Sequence, residues 1–158
     1  MENAIAELPY VISFEEIIWG GTLMAITMAM HGFAMLLILR VNAALKRRFA
    51  PRPTFASGLF TLILTSWMIL LAHLLEVMVW AAFLFWKGAL PSSSVAFYFS
   101  LNEYTTVGSN YNLPLHWRLL EGMIATAGLL GFAWSTGVLL TLAQDFQEQH
   151  MQRLKDRH

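Results

Sequence analysis

Two groups of residues in this chain could do chemistry. The first is a polar break, Thr105-Thr106-Val107-Gly108-Ser109-Asn110, in an otherwise apolar sequence. Backbone carbonyls turned to one side of such a stretch can replace the hydration shell of a bare cation. Turning them needs residues that accept unusual backbone angles. Gly108 is one, and Asn110 is expected to visit the left-handed region as well. The second group is ionisable and sits in long apolar runs, where such groups are costly and mark function. His73 and Glu76 are spaced i and i+3 and share one helix face. Glu103 and Glu121 are expected at a similar depth. Three carboxylates would then stand behind the polar break as a hydrogen-bonded brace, one of them kept protonated by burial. His73 and Glu76 could instead be a satisfied structural pair, or half of a metal site, since two ligands at helical spacing do not complete a shell. His31 is expected too far toward the other end of its own helix to join them, and to be a packed, hydrogen-bonded histidine.

The elements that must position these residues are apolar. Of 158 residues, 57% are hydrophobic and 13% charged, where a soluble domain would carry about 25% charged residues. The expected class is therefore an all-α integral membrane protein. Ten basic residues balance ten acidic ones, so net charge draws the chain toward no partner, and no patch for nucleic acid stands out. The absence of cysteine excludes disulfides and thiolate metal sites. The nine methionines are spread through spans and tail and read as packing.

In chain order, residues 1–16 form an acidic N-terminal segment without the basic start of a cleaved signal peptide. Residues 17–39 are a first span, rich in small residues suited to close helix packing. Residues 40–54 are a loop carrying Arg40, Lys46, Arg47, Arg48 and Arg52 and closed by Pro51 and Pro53. So many basic residues place the loop in the cytoplasm and the N-terminus outside. Phe55 to Trp86 is a second span, longer than a bilayer needs, so it is tilted or projects. Trp80, Phe83, Phe85 and Trp86 are expected as an aromatic belt at its outer end. Pro91-Ser92-Ser93-Ser94 offers an N-cap for a short helix ending near Tyr104. Trp117 to Leu142 is a third span, and residues 143–158 are a cytoplasmic tail with Arg153, Lys155 and Arg157. Ser135 and Thr136 either line a cavity or back-bond to their own helix.

A short helix, then Thr-Thr-Val-Gly, an extended loop and a long apolar helix: this order resembles the pore loop of potassium channels, whose filter reads TVGYG. The chain keeps Thr106-Val107-Gly108 and departs at Ser109 and Asn110, with Tyr111 where an acidic residue is usual. The resemblance covers residues 55–142. It implies three transmembrane helices plus a re-entrant pore helix and filter loop, assembled as a fourfold homotetramer, with the first span an extra helix outside the pore module. It implies passive conduction without enzyme chemistry or cofactor, through sites built by Thr105, Thr106, Val107 and Gly108, with an altered outer part at Ser109 and Asn110. Permeant ions would be potassium or other monovalent cations. Partners would be further copies of the chain and the lipid of a plasma membrane, bacterial given the brevity of the chain. Glu76, His73, Glu103, Tyr111 and Glu121 are candidate supports of the filter, with Tyr111 partly replacing the missing filter tyrosine. Gly128, then Gly131, are candidates for a gating hinge, or else allow close helix packing. The alternatives are a non-conducting or metal-sensing assembly, and a haem or quinone redox subunit using His31, His73 and His116. The last is weakened by the different depths expected for His31 and His73.

Overall fold

The structure, a computed structural model, describes residues 10–50 and 54–155. Among them every regular element is helical: α1 (Phe14–Phe49), α2 (Phe55–Trp86), α3 (Ser93–Tyr104), a 3-10 turn (Leu115–Trp117) and α4 (Leu119–Lys155). The stretch Met1 to Pro9, the loop residues Pro51, Arg52 and Pro53, and Arg157 lie outside the described residues. Helices α1, α2 and α4 are each long and apolar enough to cross a membrane, and the chain is a multi-pass membrane protein on that ground.

Local chemistry sets where the helices start. Ser13 caps α1 by accepting from the Glu16 amide, and Glu16 returns the bond to the Ser13 amide, the reciprocal arrangement that satisfies two otherwise orphaned donors. Thr54 and Ser57 do the same for α2. Ser92 caps α3 through the Val95 amide at 3.2 Å, as the serine run predicts. Helix α2 stops at Gly88, whose φ of 66° a side chain would resist.

Where the helices end was less legible. Arg40 terminates the apolar span but not the helix. α1 continues to Phe49 and carries Arg40, Lys46, Arg47 and Arg48 on its last turns. Nothing between Arg40 and Phe49 breaks a helix, and basic side chains suit the negative C-terminal end of the dipole. The tail is likewise helical to Lys155. It packs back on the bundle, with Phe146 against Gly58 and Asp145 paired to Lys46 at 2.7 Å.

The buried positions of α2 (Thr61, Thr65, Ile69, Ala72, Glu76, Trp80 and their neighbours) recur every three or four residues and give one inward stripe. The opposite face exposes Trp67, Leu71, Leu75 and Met78, as a face bathed in lipid should. One core, built on Trp80, Phe83, Leu84, Phe99, Leu120 and Ile124, joins all four α-helices near the Trp86 end. A smaller one around Met35, Ile38, Ile69 and Leu142 holds the basic end. Trp80 and Phe83 are therefore core residues, and of the four expected belt aromatics only Phe85 and Trp86 are exposed. The inward stripe of α2 recurs at both buried positions, and that spacing outranks their aromatic type. At this end Lys87 stands over the rings of Trp19, Trp86 and Trp117, 4.6–5.3 Å from their centroids, and 3.3 Å from the Glu15 carboxylate.

Both ends of α4 are tied to α1. Opposite the Lys46–Asp145 pair, the buried Glu16 carboxylate accepts the Leu119 amide at 3.0 Å and the Tyr10 hydroxyl at 3.2 Å. It thus caps α4 as well as its own helix.

Candidate functional site

A continuous set of buried polar contacts runs through the middle of the bundle and takes a side chain from every α-helix. Glu76 on α2 is its centre. His31 of α1 lies with Nδ1 2.8 Å from Glu76 Oε1, and the Tyr104 hydroxyl of α3 donates to Glu76 Oε2 at 2.6 Å. His73, one turn before Glu76, sets Nδ1 2.9 Å from the Tyr104 oxygen and Nε2 2.9 Å from the Ser135 hydroxyl of α4. Ser135 also lies 2.9 Å from the Gly131 carbonyl of its own helix. All five side chains are buried. Burial, then the hydrogen bond to Glu76 and its charge, push the Tyr104 phenol far above its ordinary value. The hydroxyl therefore keeps its proton and donates it to Glu76, so His73 Nδ1 must donate to the Tyr104 oxygen. Apolar rings close the cluster, with Phe132 4.5 Å from His73 and Trp134 5.6 Å from His31.

This cluster corrects the expected position of His31. His31 stands about as far from Phe49 as Glu76 does from Phe55, and the two helices run side by side. Counting from Arg40, as though the helix stopped with the span, put His31 too near the basic end. The His31 and His73 rings are 5.1 Å apart, so they do not lie at different depths either, while His116 is exposed in the 3-10 turn that precedes α4. Tyr104 is the residue that sequence reasoning missed. No sequence signal set it apart, since α3 holds a second tyrosine, Tyr98, that is exposed, and only burial tells which hydroxyl needs a partner.

The expected brace of three carboxylates is divided in two. Glu76 serves the cluster. Glu103 and Glu121 instead hold the loop that follows α3. The Leu113 amide donates to Glu121 Oε1 at 2.9 Å, and the Ser109 amide stands close enough to Glu103 to favour its charged form. Burial, then the neighbouring charge of Glu121, raise the Glu103 carboxyl above the usual range, opposed by that amide. One brace was expected because all three were placed at one depth. Depth says nothing about which way around its helix a side chain points.

The loop itself has an unusual backbone. Thr106 has φ 61° and Gly108 φ 80°, and among the described residues Thr106 is the one non-glycine residue with positive φ. For a β-branched residue this is a true outlier, costing about 1–3 kcal/mol and persisting only where its surroundings impose it. Asn110, expected in that region, is not there. The Asn102 carbonyl of α3 accepts both the Val107 and Gly108 amides, at 3.0 and 3.3 Å, which draws the loop over the helix end and leaves the odd turn at Thr106. Thr105 back-bonds to the Leu101 carbonyl at 2.9 Å, and Ser109 Oγ accepts from the Tyr111 amide at 3.1 Å. Val107, Gly108 and Asn110 are exposed, and the Tyr111 ring meets Tyr98 of α3 edge-on at 6.4 Å.

Gly128 and Gly131 pack α4 against the end of α3. A Cβ at Gly128 would strike the Tyr104 carbonyl group, and one at Gly131 would sit 2.9 Å from the Tyr104 hydroxyl. No break occurs in α4 at either glycine. Of the two roles weighed for them, Ser135 and Thr136 both back-bond, to the Gly131 and Phe132 carbonyls, and Ser135 also meets His73, which was not expected.

No protein-family model, curated protein or solved structure matches the chain. Function has to be read from the geometry.

The cluster makes a direct prediction. Tyr104→Phe removes the donor to Glu76 and the acceptor for His73 while keeping the ring, and is expected to lower stability by about 1–3 kcal/mol. Tyr98→Phe, on an exposed ring, should stay within about 0.5 kcal/mol. Unfolding in mixed micelles measures both, and equal effects would show that the Tyr104 hydroxyl is not held.

Proposed function

We propose that the chain is a passive cation channel of potassium-channel type, in which four copies surround one pore and residues 105–110 of each line its narrowest part. The observation that carries this reading is the strained backbone at Thr106, directly after the end of α3 and followed by a second left-handed residue at Gly108. A strained β-branched residue in an exposed loop calls for a functional reason. Presentation of backbone oxygens to a dehydrated cation is one that fits Thr-Val-Gly. The length of α3 adds support. Its 12 residues reach roughly 18 Å, too short to cross a hydrocarbon core of about 30 Å. A helix of that length that dips in and turns back would aim its C-terminal end, the negative end of its dipole, at the ion.

In this reading the buried cluster fixes the filter from behind, because Tyr104 is the last residue of α3. Glu121 holds the outer limb of the loop through the Leu113 amide, with Glu103 beside the Ser109 amide. Tyr111, seated against Tyr98, takes part of the packing role that Ser109 is too small to fill. The outer filter is consequently wider or softer than TVGYG, and selectivity for potassium is reduced or rests on Thr106-Val107-Gly108 alone. The basic ends of α1 and α4 face the cytoplasm, and the N-terminus faces outward from a bacterial inner membrane.

The test is ion flux from purified protein in liposomes, with potassium or sodium gradients and with or without barium. Barium-blocked flux favouring potassium is expected. Equal flux of both ions would overturn selectivity but leave the pore. No flux, from protein that still runs as a tetramer, would overturn conduction.

A further inference from the structure

We infer that His31, His73 and Glu76 bind a single divalent transition-metal ion inside the helix bundle, with zinc the best match to their donor set. One ligand atom from each lies within 4.8 Å of the others, and all three residues are buried. Zinc takes imidazole nitrogen and carboxylate oxygen at about 2.0–2.2 Å, so a tetrahedral shell sets neighbouring donors about 3.3 Å apart. Here His31 Nδ1 and Glu76 Oε1 stand 2.8 Å apart, and the Tyr104 oxygen lies 2.6 Å from Glu76 Oε2 and 2.9 Å from His73 Nδ1. Closing a shell moves the hydrogen-bonded pairs apart by about half an ångström and draws in the wider pairs of a donor set that spans up to 4.8 Å, with the Tyr104 oxygen at the fourth position.

Two features of the surroundings favour an ion. A ligating histidine turns one nitrogen to the metal and has the other anchored outside. His73 is held in that way once its proton moves from Nδ1 to Nε2, which then donates to Ser135 while Ser135 donates to the Gly131 carbonyl. His31 is already turned with Nδ1 toward Glu76, and its Nε2 is buried without a hydrogen-bond partner among the described residues. Finally, Gly131 keeps the space open. A Cβ there would lie 3.6 Å from Glu76 Oε2 and 3.4 Å from the His73 ring. The carboxylate supplies the negative charge without which a cation would not enter an apolar interior. An ion so placed clamps α1 to α2 and, through Tyr104, sets the residue just before Thr105. The inference rests on the cluster alone and stands apart from conduction.

The test uses full-length protein in detergent with His116, His150 and His158 changed to alanine, so that His31 and His73 are the only histidines. After chelator treatment it is titrated with Co2+, whose visible d–d absorption distinguishes a tetrahedral site from a hydrated ion, and the bound Co2+ is then displaced with Zn2+. One Co2+ per chain with a tetrahedral spectrum is expected. Glu76→Gln and His31→Gln should abolish it. Ser135→Ala, which only loosens the anchor of His73, should keep the spectrum and weaken binding about 10- to 100-fold. The inference is overturned if the folded parent shows no tetrahedral band. A band undiminished in both Glu76→Gln and His31→Gln overturns it as well. If those two variants do not fold, unweakened binding in Ser135→Ala decides against it. Liposome flux is read separately. A bound ion without flux removes the channel and leaves the site.

Discussion

Glu76→Ala is expected to destabilise the folded protein by about 3–5 kcal/mol, the scale for removing one partner of a buried, charged contact. Two donors lose their acceptor at once, the His31 imidazole and the Tyr104 hydroxyl, and the missing side chain leaves a void between helices that cannot close around a polar rim. Glu76→Gln should be far milder, about 1 kcal/mol. The amide oxygen can still accept from Tyr104, and His31 can change tautomer to accept from the amide nitrogen. The ratio of the two effects is thus the diagnostic quantity, and unfolding in mixed micelles gives it. If Ala costs no more than Gln, the carboxylate is not the hub of the cluster. Under the channel reading the same Glu76→Gln variant should alter open probability or conductance, because Tyr104 is then held by a weaker acceptor. Wild-type currents from a fully assembled variant would separate the cluster from the pore.

Gly128→Ala is expected to cost about 3 kcal/mol, at the upper end of the usual overpacking penalties. The added methyl would strike the Tyr104 carbonyl group, which is backbone and cannot rotate aside. Gly21→Ala is the control. A Cβ there meets nothing within 4 Å, and the better helix propensity of alanine should leave stability unchanged or raised by up to about 1 kcal/mol. The pair also separates the two roles weighed for Gly128. A hinge glycine would alter gating while sparing stability, whereas a packing glycine loses stability first. Equal stability of the two variants would remove the packing role.

The spans were legible because apolar length is a one-dimensional property. Phe55 to Trp86 could be bounded to the residue by an apolar run that starts after Pro53 and stops at Lys87-Gly88, and the capping box of Thr54 and Ser57 explains the start. The cap of α3 at Ser92 was legible for the same reason. What could not be read was rotation about each helix axis and the lateral order of the helices. His31 sits in a run of small and apolar residues that carries no mark of facing Glu76. The expectation that α1 lies outside the pore module gave no reason to look for a partner there. Tyr104 was hidden among Phe97, Tyr98 and Phe99, where aromatic character reads as core and the one hydroxyl with a buried task is indistinguishable from the exposed one. Thr106 shows a further limit. Glycine and asparagine advertise left-handed backbone, but a threonine forced there by two amides sharing the Asn102 carbonyl does not.

The ties at the two ends of α4 also bear on how the chain is made. Glu16 satisfies its own helix start within three residues, but the Leu119 amide that it caps lies 103 positions later, and Asp145 follows Lys46 by 99. At about 5–20 residues per second, several seconds of synthesis separate the insertion of the first helix from the arrival of its last partners. During that interval α1 stands in the bilayer with His31 waiting for Glu76 and a buried carboxylate waiting for the final helix. Its own backbone hydrogen bonds and the capping box at Ser13 are what it has to hold its shape in the meantime. Assembly of this chain is therefore completed from its C-terminal helix backward, and a ribosome that stalls before Leu119 leaves an unfinished bundle in the membrane, with Glu16 missing a partner.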